Sequence, residues 1–91
     1  MSWKMPTVLT LGPYRFHFFS EEGNEPPHIH IRFEGNDCKF WLNPVASASN
    51  RGIPTHRLSS IVYRLNEIER LVHEHRNLFI KKYNEHRDRQ H

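Results

Sequence analysis

Cysteine occurs once in the 91 residues, as Cys38, so the chain can form no internal disulfide and has no cysteine-based zinc motif. Stability must come from the packed core, and a reducing, cytoplasmic setting is expected. Long apolar runs are missing too. Nothing approaches the roughly 18 consecutive apolar residues that cross a bilayer, and Met1 to Thr7 lacks the positive-then-apolar order of a signal peptide. A soluble protein with no membrane contact is the expectation. Neither glycine nor proline occurs after Pro54, which leaves the whole C-terminal part free to be helical. A charge excess is absent from the first part: residues 1 to 54 carry five basic and five acidic side chains, and the net +3 arises from eight basic against five acidic in residues 55 to 91. Such an excess permits contact with nucleic acid or an acidic partner without requiring it, because solvated helix faces often carry as much.

Ninety-one residues make a single domain with one core of modest stability, for which a homo-oligomer is expected. Thr7 to Leu11 is a short β-type run, and Gly12-Pro13 punctuates it. Tyr14 to Phe19 then alternates aromatic with basic residues, completing a hairpin. Ser20 to Pro27 has loop composition, and Pro26-Pro27 keeps its end extended. A third strand runs from His28 to about Phe33, a turn falls at Gly35-Asn36-Asp37, and Cys38 to Leu42 alternates again. Asn43-Pro44 breaks that strand, leaving Val45 to Asn50 as a loop or a weak edge strand. Arg51 to Pro54 leads into the helical part.

From Thr55, a possible N-cap, the apolar period changes from two to about three and a half. Leu58, Ile61, Val62, Leu65, Ile68, Val72, Phe79 and Tyr83 form one stripe, which allows one long helix to about His86 or two helices meeting at His75-Arg76-Asn77. The expected architecture is α+β: a four-stranded antiparallel meander over residues 7–42, covered by the helical part at 55–86, with a frayed tail at 87–91. The stripe exceeds what four strands can cover, which is the motive for a homodimer or a helix partner beyond Ile68.

Side chains on a strand reverse face at each residue, so His28, His30, Arg32 and Glu34 share one face while Ile29, Ile31 and Phe33 share the other. The strand pairing that keeps Phe16, Phe18, Ile29 and Ile31 together brings His17 to the same polar face. Arg15, Lys39 and Trp41 join it by parity. Three imidazoles, three cations and an aromatic plane suit a polyanion. His17, His28 and His30 could pass protons as general acid and base, while Arg15, Arg32 and Lys39 meet phosphate and Trp41 stacks on a base, the kit of a metal-free ribonuclease or of an RNA-binding face. Zinc on the three histidines is disfavoured by the adjacent cations, so no metal is expected. No phosphate-cradling glycine loop and no Ser/His/Asp order is present, and no cofactor is expected. His75 falls on the apolar stripe as a hydrogen-bonded structural histidine, and Cys38 falls among core residues.

Met5-Pro6-Thr7-Val8-Leu9, Gly12-Pro13-Tyr14-Arg15-Phe16, Gly23 to Ile31 with its Glu-Pro-Pro-His-Ile-His core, Lys39 to Val45 and Asn50-Arg51-Gly52 resemble the domain-of-unknown-function 4160 family of small bacterial proteins. The resemblance implies a start at the equivalent of Met5, making Met1 to Lys4 an extension, and a Thr55 to Asn66 segment longer than usual. It implies no established activity. It does imply a protein partner from a neighbouring gene, in two-gene modules of toxin–antitoxin character, and the carry-over of site residues is limited to His28 and His30, because no functional residue of the family is established. Three readings follow: a module component binding RNA or a protein partner through the His/Arg face, a metal-free ribonuclease on that face, and a purely structural interaction domain.

Overall fold

The computed structural model describes residues 7–18, 25–49 and 55–89. Among these, five strands precede two helices: β1 (Thr7–Leu11), β2 (Tyr14–His17), β3 (His28–Phe33), β4 (Asn36–Leu42), β5 (Val45–Ser49), α1 (Thr55–Glu74) and α2 (Arg76–Arg89). The strands form one antiparallel sheet in the order β1-β2-β3-β4-β5. The α+β class stands, and the strand count is corrected from four to five. Val45 to Ser49 is small and polar, but the tight turn at Asn43-Pro44 sets Val45 opposite Leu42, and pairing with β4 then satisfies backbone groups whatever the side chains are.

Two-residue turns close three of the four antiparallel strand pairs, β1–β2, β3–β4 and β4–β5, and set the register there, whereas β2 and β3 are joined by residues 18–27. Gly12 (φ 57°) and Gly35 (φ 75°) adopt the left-handed region that glycine tolerates, and Glu34 (φ 50°) joins Gly35 there. Two successive positive-φ residues give a turn whose twist matches the strands. The second hairpin therefore turns at Glu34-Gly35, not at Gly35-Asn36-Asp37, and β4 begins at Asn36, opposite Phe33. Arg32 thereby lies opposite Asp37. The turn also redirects Glu34, which pairs with Arg64 of α1 at 3.0 Å instead of joining the histidines.

Alternation gives the sheet its core face. Tyr14, Phe16, Phe18, Ile29, Ile31, Phe33, Cys38, Phe40 and Leu42 are buried from the sheet side, against Ile61, Ile68, Val72, Phe79 and Tyr83 from the helices. Phe16 stacks on Phe79 at 5.1 Å between ring centroids, and Phe18 meets Tyr83 edge-on. Each large apolar side chain so buried contributes about 1.5–3 kcal/mol before chain entropy is set against it. Burial pushes the Cys38 thiol up to about 12, so it is a protonated packing group. A polar clasp ties the layers together: the buried Tyr14 hydroxyl donates to Glu67 Oε1 at 2.5 Å, while Arg64 bonds both Tyr14 and Glu34.

The helical part is two helices, and the break falls at His75, where the sequence allowed it. His75 donates both its backbone N–H and its ring Nδ1–H to the Leu71 carbonyl oxygen, each at 3.0 Å, and its own carbonyl oxygen accepts from the Phe79 N–H at 3.0 Å, so backbone bonds carry across the junction. Arg76, the first residue of α2, then donates from Nε to the Leu42 carbonyl oxygen at 2.7 Å and reaches Asn43 Oδ1 at 3.0 Å, fixing α2 to the end of β4. The two helices keep Ile61, Ile68, Val72, Phe79 and Tyr83 buried within the chain's own core, and only Val62 of the described stripe stands exposed. Leu65 of the same stripe is half-buried. Arg87 to Arg89, expected as frayed tail, belong to α2. Met1 to Lys4, Phe19, the loop from Ser20 to Asn24, Asn50, the Arg51 to Pro54 lead-in and the end of the tail lie outside the described residues, as do the side chains of Thr55 and Leu58. Among the described residues, no helix is long and apolar enough to cross a membrane.

Candidate functional site

The sheet face opposite the core is ordered in rows, because paired residues on neighbouring strands point the same way. One row reads Thr10, Arg15, Arg32, Asp37 across β1 to β4. The next reads Thr7, His17, His30, Lys39 across β1 to β4. A third holds His28, Trp41 and Ala46. All seven residues singled out from the sequence thus share one face.

The three histidines converge, with His30 in the middle. Its ring lies parallel to that of His17 at 5.7 Å and meets His28 edge-on at 5.2 Å. Accessibility departs from expectation: the face was expected open, but His17 and His28 are fully buried and His30 is half-buried. His28, at the start of β3, donates from Nδ1 to the Pro26 carbonyl oxygen at 2.8 Å and lies against both Trp41 and Tyr83. The Glu25-Pro26-Pro27 segment is therefore what fixes its ring. Burial, reinforced by the positive charges of Arg15, His30 and Arg32 and opposed by Asp37, lowers His17 to about 4. His17 is neutral at neutral pH.

The cations divide into engaged and open. Arg32 pairs with Asp37 at 2.8 Å, and Lys39 pairs with Glu25 while its ammonium sits 4.8 Å above the Trp41 ring. Trp41 is thus capped by Lys39 on a ring face and met by His28, which leaves it a poor platform for a base. Arg15 is different. It is half-buried, its Nε is buried with no hydrogen-bond acceptor, and no carboxylate pairs with it among the described residues. Sequence reading missed the two counter-charges. Asp37 was legible in principle, since a turn at Glu34-Gly35 dictates its pairing with Arg32; Glu25 approaches from a loop, for which periodicity carries no signal.

Chemically, the face holds one half-exposed imidazole beside two that are closed off. Proton transfer from both sides of a phosphate needs two accessible groups. Among the described residues, no group of three or more His, Cys, Asp or Glu side chains is placed to hold a metal ion. A family model described as a domain of unknown function (DUF4160) matches residues 14–84, a span that includes all seven site residues. No curated protein and no solved structure matches the chain.

Proposed function

We propose that this chain, which belongs to the DUF4160 family, is a non-catalytic component of a toxin–antitoxin-like pair and holds a protein partner on the polar face of its sheet. The observation that carries the reading is the burial of His17 and His28 beside the reachable Arg15, Arg32, His30 and Lys39. Such a face recognises charge and offers no pair of accessible proton carriers. The neighbouring-gene partner and the two-component setting rest on resemblance to small proteins of such modules. RNA binding is the second reading of the same cations, and Asp37, Glu25 and the capped Trp41 count against it. The described stripe is buried within the chain apart from the half-buried Leu65 and the exposed Val62, so this reading does not depend on a homo-oligomer.

Expressing the chain alone and with the product of the adjacent gene, then following complex formation, growth and RNA integrity, tests this. A complex that survives purification, with intact RNA, is expected, and Arg32→Ala with His30→Ala should weaken it at least about tenfold through lost charged contacts. These positions replace His28→Ala, because truncating the buried, hydrogen-bonded His28 disturbs the fold itself. RNA cleavage that His30→Ala abolishes would establish the ribonuclease instead. If binding survives both face substitutions but is lost in Tyr63→Asp, on the exposed side of α1, the interaction belongs to the helix and the face reading is wrong.

A further inference from the structure

Arg15 and Arg32 are direct cross-strand partners, and like charges placed opposite one another destabilise a sheet. One carboxylate, Asp37, answers the two of them, and it bonds Arg32 at 2.8 Å. Arg15 keeps a half-buried guanidinium with a buried Nε that has no acceptor among the described residues. Withholding solvent from a charged donor without supplying an acceptor costs stability unless something else binds it. The row from Thr10 to Asp37 therefore carries one uncompensated positive charge, at a group whose planar donor fork matches a two-oxygen anion.

We infer that the Arg15–Arg32 pair anchors the partner by binding a single carboxylate from an acidic side chain of that protein. This rests on the proposed docking face and says what the face takes. One carboxylate matches the single excess charge of the row. The exposed Thr10, next to Arg15 in register, adds a neutral hydroxyl donor. A nucleic-acid strand presents the same charge at every phosphate and needs successive open cations. Here the next cation, Lys39, is already held by Glu25, and the Asp37 and Glu25 carboxylates would flank the strand and repel it.

The test uses the smallest forms of each anion. Isotope-labelled protein is titrated with acetate and, separately, with dimethyl phosphate, following the Arg15 Nε–H resonance. Acetate should move that resonance saturably and bind more tightly than dimethyl phosphate. Arg15→Gln should weaken acetate at least about tenfold, as expected for loss of a charge-assisted contact, while its melting temperature stays level or rises because an unanswered charge has gone. No saturable shift, equal acetate binding in Arg15→Gln, or tighter dimethyl phosphate binding would each overturn the inference. Carried into the co-expressed complex, Arg15→Gln separates the two claims. A partner retained by Arg15→Gln but released by Arg32→Ala with His30→Ala refutes the anchor and leaves the docking face standing, whereas a partner indifferent to all three refutes both.

Discussion

Acid should destabilise this protein through His17, and the size of the effect follows from where the ring sits. In the unfolded chain an imidazole takes up its proton near 6.5; in the folded protein His17 resists until about 4, held back first by burial and then by Arg15, His30 and Arg32 against the opposing Asp37. Between those values the unfolded state binds the proton and the folded state does not. The stability tied to a neutral His17 is therefore fully present above about pH 6.5 and drains away as pH falls toward 4. From pH 7 to pH 5 the unscreened loss approaches 2 kcal/mol, and screening by solvent and salt at the half-exposed end of the row leaves about 1 kcal/mol. In a domain of this length that is a fall in melting temperature of about 4–8 °C. Burial pushes the Cys38 thiol and the Tyr14 hydroxyl upward, so neither titrates in this window. Urea denaturation at half-unit steps from pH 7.5 to 4.5, on the natural chain and on His17→Gln, isolates the residue, because the other histidines are common to both. The variant should show a flatter curve by about 1 kcal/mol over the window. Parallel curves, or a His17 ring resonance that titrates near 6.5, would refute the reasoning.

Phe79→Ala removes the ring stacked on Phe16 at the centre of the core and should cost about 3–5 kcal/mol, read as a lower urea midpoint at unchanged slope. Arg76→Ala cuts the guanidinium bonds to the Leu42 carbonyl and Asn43 and should cost about 1–2 kcal/mol; hydrogen exchange should rise first in α2 while the α1 amides stay protected. At about pH 5.5, where acetate is still mostly ionised, saturating acetate should increase the protonated fraction of His17, because an anion on Arg15 and Arg32 offsets two of the charges that depress it; a fraction indifferent to acetate would show that the two sites are independent.

The periodic parts of the chain were legible because their faces are chemically distinct. Phe16 with Ile31, and Arg15 with Arg32, pair as alternation demands, since a slip of one residue would have buried the cations. The helical break was allowed by the sequence but not dictated, for no proline or glycine marks it and the apolar period runs on through His75. β5 was ambiguous because Ala and Ser alternate without an apolar signal, and a tight turn decided the matter instead. The exposure of the polar face was misjudged for a related reason. Parity tells which way a side chain points but not what lies over it, and His28 is enclosed by Pro26, Trp41 and Tyr83 from three separate elements.

The electrostatics of the face make catalysis and anchoring compete for the same residues. A metal-free cleavage of RNA starts with one imidazole neutral, to take a proton, and another charged, to give one. The cations that would steady a phosphate, Arg15 and Arg32, are the ones that, together with burial, keep His17 neutral down to about 4, so near neutral pH it has no proton to donate. His28 already gives its Nδ1 proton to the Pro26 carbonyl and is closed to solvent, which leaves His30 as the one half-exposed ring of the three. Strengthening the charges would depress His17 further, and removing them would release the ring but lose the hold on the phosphate. A carboxylate on Arg15 escapes this conflict, because holding it requires no proton transfer and lessens the repulsion between two cations that the strand register has forced together.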